Sequence, residues 1–195
     1  MAAGVLLAGC SGEGEGNASP TVPSSVSTTS TTAAPDVSVI PEVIDEDYVN
    51  AVLAALDEVY GKATRIIVAT KRFPPEAADL IDSIYANEEF EHEANIWLQS
   101  LALDPELRNF RSEPGNRKTT VERIIAASPS CVWIAVRRDR SPANFDPGRH
   151  RTEYLALQPV DHSKDQKGLN PTAWMITTEG LRSDGTEPDN PCPGS

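Results

Sequence analysis

Two spacings of apolar residues divide this chain. Between Asp45 and Leu103 apolar side chains recur every three or four positions, which is the period of an α-helix with one buried face. From Thr119 onward they recur at every second position, which is the period of a β-strand. Helices followed by strands are typical of the α+β class, in which the helices pack on one face of an antiparallel sheet. We therefore predict an α+β domain.

The helical region is predicted to contain two or three helices. Asp45 is the expected N-cap of the first helix, and Gly61 is the residue at which we expect it to stop. The segment 63–71 is β-branched in part, but its position between two helices favours a short helix. The next helix is expected from Glu76 to about Leu103, with a bend near Ala86.

Four β-rich runs follow, separated by loops rich in Pro, Gly, Asn and Asp. They are Thr119–Ala127, Cys131–Asp139, Thr152–Val160 and Thr172–Thr178. In the second run neither face is strongly polar before Arg137, so we predict a central strand that is covered on both sides. The expected architecture is a curved antiparallel sheet of four or more strands with the helices packed on it.

The N-terminal region has a different pattern. A short apolar run ends at Cys10, and residues 17–35 are almost entirely Ser, Thr, Pro, Ala and Val without any charged side chain. Such a composition cannot bury enough apolar surface to fold. We predict a disordered Ser/Thr/Pro linker over residues 11–40 and a single α+β domain over residues 41–195.

Leu7-Ala8-Gly9-Cys10 resembles the lipobox of bacterial lipoproteins. The resemblance implies that residues 1–10 are a lipoprotein signal peptide and that Cys10 carries the lipid. The protein would then be anchored on the extracytoplasmic face of the cell membrane. Secretory leaders begin with basic residues, whereas the first basic residue here is Lys62. We therefore expect the leader to be truncated at its N-terminal end.

Lipidation of Cys10 leaves Cys131 and Cys192 as the remaining cysteines. In an oxidising compartment such a pair can form a disulfide, and closing a loop of about 60 residues would contribute roughly 4 kcal/mol. The alternative is two unrelated thiols, one in a strand and one in a loose tail. We favour the disulfide, because the Pro-rich tail has little other reason to be ordered.

The charge distribution restricts the partners of the protein. The formal net charge is −12, which argues against nonspecific binding to nucleic acid. Residues 104–151 differ from the rest, since they carry 10 basic and 6 acidic side chains, a net of +4. We interpret most of these charges as solvated surface.

Two clusters contain residue types that are used in catalysis or metal binding. Glu89 and His92 have the Glu-x-x-His spacing of carboxylate-bridged metal helices, but a bundle site needs matching ligands from other helices. We therefore place this cluster on a solvated face. Ser141, Asp146 and His150 share one Pro-rich loop that lacks a nucleophile elbow. The sequence accordingly predicts no catalytic residue, no metal and no cofactor.

Three aromatic residues, Trp133, Tyr154 and Trp174, lie on separate predicted strands. They are candidates to line a pocket on one side of the sheet, and the alternative is that they cover the core. An acid/base enzyme would need a carboxylate beside a phenol in such a pocket. The carboxylates that flank the predicted strands include Glu122, Asp139, Glu153 and Glu179.

The order of helices and strands resembles the NTF2-like cone, a cystatin-like α+β fold. Residues 43–180 are also similar to a group of actinobacterial (mycobacterial-type) lipoproteins with no assigned function. Besides the lipobox and the Thr-rich linker, the resembling segments are Pro114–Arg117, Arg138–Ser141 and Asn170–Ile176. The resemblance implies kinship and a fold. It implies no activity, because NTF2-like domains include both enzymes and non-catalytic binding modules.

Our main hypothesis from the sequence is a non-catalytic, lipid-anchored domain of the cell envelope. Its partners would be the membrane, through Cys10, and a small apolar ligand or a protein. The first alternative is an enzyme that uses an acid/base pair in an NTF2-like pocket. The second is a structural envelope component that forms a homodimer through its sheet.

Overall fold

Three helices precede a four-stranded antiparallel sheet in the described part of the chain, which confirms the α+β class. The computed structural model describes residues 34–103, 110–144, 152–160, 167–180 and 186–192. These residues all belong to one compact unit, Ala34–Ser195. Cys10 and residues 11–33 of the predicted linker lie outside the described residues, and so do Asp146 and His150. Val37 and Ile40, also within the predicted linker, are half-buried against the core.

The first helix is longer than the sequence pattern indicated. The helices are α1 (Glu46–Thr70), α2 (Pro75–Ile84) and α3 (Asn87–Leu103). The side chain of Asp45 caps α1 by accepting the Tyr48 N–H over 2.8 Å, as predicted. The predicted stop at Gly61 is wrong, because α1 continues without interruption. Ala63 and Ile67 extend the buried stripe beyond Gly61, and their burial outweighs the cost of about 1 kcal/mol for a glycine in a helix.

The predicted long helix from Glu76 to Leu103 is in fact two helices. At Tyr85 the backbone is extended, with φ −117° and ψ 142°, and the predicted bend near Ala86 is a complete break. Tyr85 forms a parallel bridge with Ile176, and the Ala86 N–H donates to the carbonyl of Ile176 over 2.8 Å. The interruption therefore comes from pairing with a distant strand, which helical periodicity does not reveal.

The four strands are joined in chain order, and each pairs antiparallel with its neighbour. They are β1 (Lys118–Ser128), β2 (Cys131–Asp139), β3 (Thr152–Pro159) and β4 (Trp174–Gly180). The first six residues of β2 are buried, which confirms the predicted central strand. Register shifts interrupt the pairing of β1 with β2 after Val121 and after Ile124, and such irregularities increase the local twist of a sheet.

The two faces of the sheet carry two separate apolar clusters. The helices cover one face and form the main core with residues such as Ile134, Leu155 and Trp174. The other face carries a smaller cluster that includes Trp133 and Cys192.

The predicted disulfide between Cys131 and Cys192 is present and ties the C-terminal segment to β2. It belongs to the smaller cluster, on the face of the sheet away from the helices. Among the helices described here, none is both long and apolar enough to cross a bilayer.

Candidate functional site

A cavity of about 390 Å³ lies between α1, α3 and the sheet, and its wall carries many charged groups. The volume falls within the range of sites that hold small molecules. The described residues with ionisable side chains on its wall, apart from Tyr60, are Glu89, His92, Glu93, Arg117, Arg140, Glu153 and Glu179. Apolar side chains, including Ile96 and Phe110, complete part of the wall. The cavity is therefore suited to a ligand with polar groups.

A buried ion pair fixes one side of this cavity. Asp57 lies on the buried face of α1 and accepts hydrogen bonds from Arg117 Nε over 2.7 Å and from the Thr119 N–H over 2.6 Å. The hydroxyl of Thr119 donates to the same carboxylate over 3.1 Å. The Arg117 guanidinium lies 3.8 Å from the ring centroid of Tyr60, and its Nη2 donates to the Tyr85 hydroxyl over 3.2 Å. This cluster joins α1 to the start of β1.

A second group of charges connects the ends of β2, β3 and β4. Arg138 is buried and pairs through Nη1 with Glu153, over 2.8 Å, and with Glu179 at closer range. Arg140 donates to both carboxylate oxygens of Glu153, over 2.7 and 3.1 Å. The Tyr85 hydroxyl donates to Glu179 Oε2 over 3.2 Å, which links this group to the Asp57–Arg117 pair.

The arginines determine the protonation state of Glu179. Desolvation is the largest effect and would raise its pKa, but the positive charges of Arg138 and Arg117 outweigh desolvation and lower the pKa of Glu179 to about 2. Glu179 is therefore ionised at neutral pH. For the phenols of Tyr60 and Tyr85 the effect of burial prevails, so the pKa of both is raised and both stay protonated at neutral pH.

Glu93 lies on the same cavity wall as Glu179, but it has no arginine partner among the described residues and its pKa shifts in the opposite direction. It is 7% exposed, and its Oε2 accepts a hydrogen bond from the Tyr60 hydroxyl over 3.2 Å. Within the described ranges no Arg, Lys or His lies at ion-pair distance from it. Desolvation first, and then the negative charge of Glu179, raises the pKa of Glu93. The same two causes, in the same order, raise the pKa of half-buried Glu89, one turn earlier on α3.

The cavity thus combines carboxylates of unlike proton affinity. Glu179 is held ionised by arginines, whereas Glu89 and Glu93 on α3 keep a proton more readily than an ordinary glutamate. Carboxylates whose pKa values are driven apart within one cavity are typical of ligand-binding and acid/base sites.

The three predicted aromatic residues do not line this cavity. Trp133 stacks on Tyr154, with ring centroids 5.7 Å apart, in the smaller cluster on the other face of the sheet. Trp174 is fully buried in the main core, where its Nε1 donates to the Tyr48 hydroxyl over 2.8 Å. The prediction that all three share one side of the sheet is therefore wrong for Trp174.

The carboxylates that flank the predicted strands divide into two groups. Glu153 and Glu179 lie on the cavity wall. Glu122 instead accepts hydrogen bonds from Arg137 at the surface, and Asp139 accepts the Ser141 N–H over 2.9 Å. The phenol on the cavity wall is Tyr60 of α1.

The prediction that the acidic cluster at the start of α3 lies on a solvated face is wrong in part. Glu89, His92 and Glu93 all line the cavity, and Glu93 is among the buried residues. In the part of the chain that the structure describes, no three His, Cys, Asp or Glu side chains are grouped so as to hold a metal ion.

The sequence also placed the basic residues of 104–151 mainly in solvent, but Arg117 and Arg138 are 7% and 3% exposed. Their importance was missed because each pairs with a carboxylate far away in the chain. One signal was available in the sequence. Asp57 occupies a position of the buried stripe of α1, four residues after Leu53, and an acid at such a position needs a buried partner.

Comparison of the chain with protein-family models, with curated proteins and with solved structures gave no match.

Proposed function

We propose that this protein is a lipid-anchored domain of the cell envelope that binds a small polar ligand in the cavity between α1, α3 and the sheet. The observation that carries the proposal is a cavity of about 390 Å³ whose wall includes buried charged side chains. Placing ions in a protein interior costs several kcal/mol each, and a packed hydrophobic alternative is often as stable. Charges retained around a cavity therefore favour a binding role.

The composition of the wall changes the class of ligand that the sequence suggested. An apolar ligand would remove water from Glu89 and Glu93, which have no ion-pair partner among the described residues, and this is unfavourable. Four glutamates and two arginines are among the described residues that line the cavity. A ligand with polar or charged groups replaces the water that these side chains lose, so the proposal specifies a polar ligand.

The envelope location is supported by two observations. The lipobox-like Leu7-Ala8-Gly9-Cys10 supports the anchor, and the disulfide between Cys131 and Cys192 is typical of an oxidising compartment. The test is a Cys10→Ser variant, which should move from the membrane fraction to the aqueous fraction of the expressing cells. Retention of the variant in the membrane fraction would contradict the anchor.

We also propose membership of the NTF2-like cone family and of the actinobacterial lipoprotein group. Three helices followed by an antiparallel sheet with register shifts support the cone. The position of two of the resembling segments supports the kinship, since Pro114–Arg117 and Arg138–Ser141 supply Arg117 and Arg140 to the cavity wall.

The binding function can be tested with a library of small polar compounds and the full chain. Ligand-observed NMR identifies binders, and two variants of α3 locate them. Ile96 lines the cavity and is 43% exposed, whereas Leu98 is 54% exposed and does not line it. We expect Ile96→Trp to weaken binding by about tenfold or more, because the larger side chain occupies cavity volume, and Leu98→Trp to leave binding unchanged. A library without binders, or equal effects of the two substitutions, would contradict the proposal.

A second candidate function is acid/base catalysis, which the unlike carboxylates favour. Glu93 keeps a proton more readily than an ordinary glutamate and lies beside the Tyr60 hydroxyl, while Glu179 stays ionised. Such a pair can transfer a proton to and from a bound ligand. Binders should then exchange carbon-bound hydrogen for deuterium in D₂O when the protein is present, and Glu93→Gln should abolish the exchange. Absence of exchange in all binders would remove this candidate.

A further inference from the structure

We propose that the cavity takes a small organic cation, such as an ammonium or guanidinium compound, held by Glu93 with Glu89 on α3. This inference rests on the proposed function, because it names the class of ligand for the same site. Three steps support it: the charge balance of the wall, the geometry of Glu93 and the nature of the neighbouring side chains.

The arginines of the site are matched to other carboxylates. Arg117 pairs with Asp57, and Arg138 pairs with Glu153 and Glu179. Arg140 also pairs with Glu153.

The carboxylates that α3 contributes to the wall form no such ion pair, and Arg117 and Arg138 act on Glu93 only from beyond ion-pair distance. Glu89 and Glu93 project into the same cavity from successive turns, and the described residues place no cation at ion-pair distance from either. The negative charge of the cavity is therefore concentrated on the α3 side.

The geometry of Glu93 points to a ligand. More than nine-tenths of the residue is buried, yet it lies on the cavity wall. One carboxylate oxygen, Oε2, accepts from the Tyr60 hydroxyl. The other oxygen, Oε1, accepts no hydrogen bond from the described residues. A buried carboxylate with one unused oxygen lacks the donors that a cationic N–H group supplies.

The side chains beside this carboxylate suit an apolar body attached to the cation. Ile96 lies three positions, or about one helical turn, after Glu93 on α3, and Phe110 lies on the same wall of the cavity. Phe110 packs against Trp97 with ring centroids 5.2 Å apart. An anion is disfavoured on the α3 side, because it would face Glu89 and Glu93. The buried Nη2 of Arg138 lacks a hydrogen-bond partner, but Arg138 is not among the described residues that line the cavity.

The test compares the binding of three probes of similar size to the full chain. The probes are 2-phenylethylammonium, the neutral 2-phenylethanol and the anionic phenylacetate. Dissociation constants are measured by NMR titration. We expect the ammonium compound to bind about tenfold more tightly than the alcohol, and the carboxylate to bind most weakly. Equal or tighter binding of the alcohol or of phenylacetate would overturn the inference, and so would failure of the ammonium compound to bind at millimolar concentration.

Two charge-neutralising variants of α3 provide the matched control. Glu93→Gln should weaken binding of 2-phenylethylammonium by about tenfold, because it removes the charge that faces the ligand. Glu91→Gln changes the net charge equally at an exposed position of the same helix and should leave binding unchanged. Equal losses in both variants would indicate attraction by the overall charge of the protein and would overturn the assignment to Glu93.

The polar library separates failure of this inference from failure of the proposed function. Neutral or anionic binders that are sensitive to Ile96→Trp, without cationic ones, would overturn the cation and leave the binding function intact. A library without any cavity binder would overturn both.

Discussion

Arg117 Nε donates to Asp57 Oδ1 over 2.7 Å, and only 6% and 5% of the two side chains are exposed. The two residues are 60 positions apart, so the pair joins α1 to the segment that leads into β1. The Thr119 N–H and hydroxyl donate to the same carboxylate and offset part of its desolvation. Because Arg117 also lies on the cavity wall, this pair connects the stability of the fold to the shape of the candidate site.

Removing one member of the Asp57–Arg117 pair should be strongly destabilising. Asp57→Asn leaves the Arg117 charge buried without its carboxylate, and we expect the free energy of unfolding to fall by about 3–5 kcal/mol. Urea denaturation at neutral pH measures the change. The matched control is Glu58→Gln, which removes the partner of Lys62 in a pair whose side chains are 58% and 52% exposed. That loss should be about 0.5 kcal/mol or less, and a similar cost for both substitutions would contradict the prediction.

The low pKa of Glu179 makes part of the stability dependent on pH. Because this pKa is about 2 in the folded protein and ordinarily 4.5, the ionised side chain contributes stability above pH 4.5 that is lost as the pH falls through about 2. The difference corresponds to roughly 3 kcal/mol. Glu89 and Glu93 give stability the opposite dependence on pH. Their pKa values are raised in the folded state, so their ionisation at higher pH destabilises the fold.

A comparison with Glu179→Gln isolates the contribution of Glu179 from those of Glu89 and Glu93. The variant should be less stable than the original protein at pH 7. The difference between their free energies of unfolding should become steadily smaller as the pH falls from 4.5 to 2. Urea denaturation at several pH values gives both curves. A difference that is constant over this range would show that Glu179 does not titrate with a lowered pKa.

Gly61 is required by a close approach between α1 and Asn116. A Cβ at this position would lie 2.0 Å from Asn116 Oδ1, which accepts a hydrogen bond from Arg65 Nη1 over 2.8 Å. Gly61→Ala should therefore reduce stability by about 1–3 kcal/mol, although alanine has the higher helix propensity. In an Asn116→Ala background the same substitution should instead increase stability by up to about 1 kcal/mol. Thermal or urea unfolding of the four proteins measures the reversal, and an equal effect in both backgrounds would contradict the proposed overlap.

The disulfide between Cys131 and Cys192 closes a long loop, with a sequence separation of 61. Chain-entropy arguments give a contribution of about 4 kcal/mol for a loop of this length. The urea midpoint of the original protein should therefore fall when a reductant is added. A Cys131→Ser/Cys192→Ser variant should start from the lower midpoint and show no response to reductant. Equal midpoints for the two proteins without reductant would contradict the stabilising role.

Local sequence patterns predicted most of the elements. Asp45 caps α1, and Cys131–Asp139 forms the central strand β2. The patterns failed where a distant contact overrides local preference. Gly61 does not end α1, because the helix buries an apolar stripe on both sides of it, and Tyr85 ends α2, because it pairs with Ile176 of β4.

The candidate site was predicted only in fragments. The sequence identifies Glu153 and Glu179 as carboxylates that flank strands, and Glu89 and His92 as members of one cluster on a helix. That these residues share one cavity could not be derived, because α3 and β4 approach each other only in the folded protein. The burial of Arg117 and Arg138 could not be predicted either, since long charged side chains are normally exposed unless they are paired.

The sequence alone determined the class of the fold, the types and order of its elements and a cysteine pair suited to a disulfide. These features follow from periodicity, capping and turn residues, which act over a few neighbouring positions. The tertiary structure alone decided which charges are buried and where the cavity lies. A charge can be buried only beside a suitable partner, and the partners here are distant in the chain. Tyr85 and Glu179, for example, are 94 positions apart.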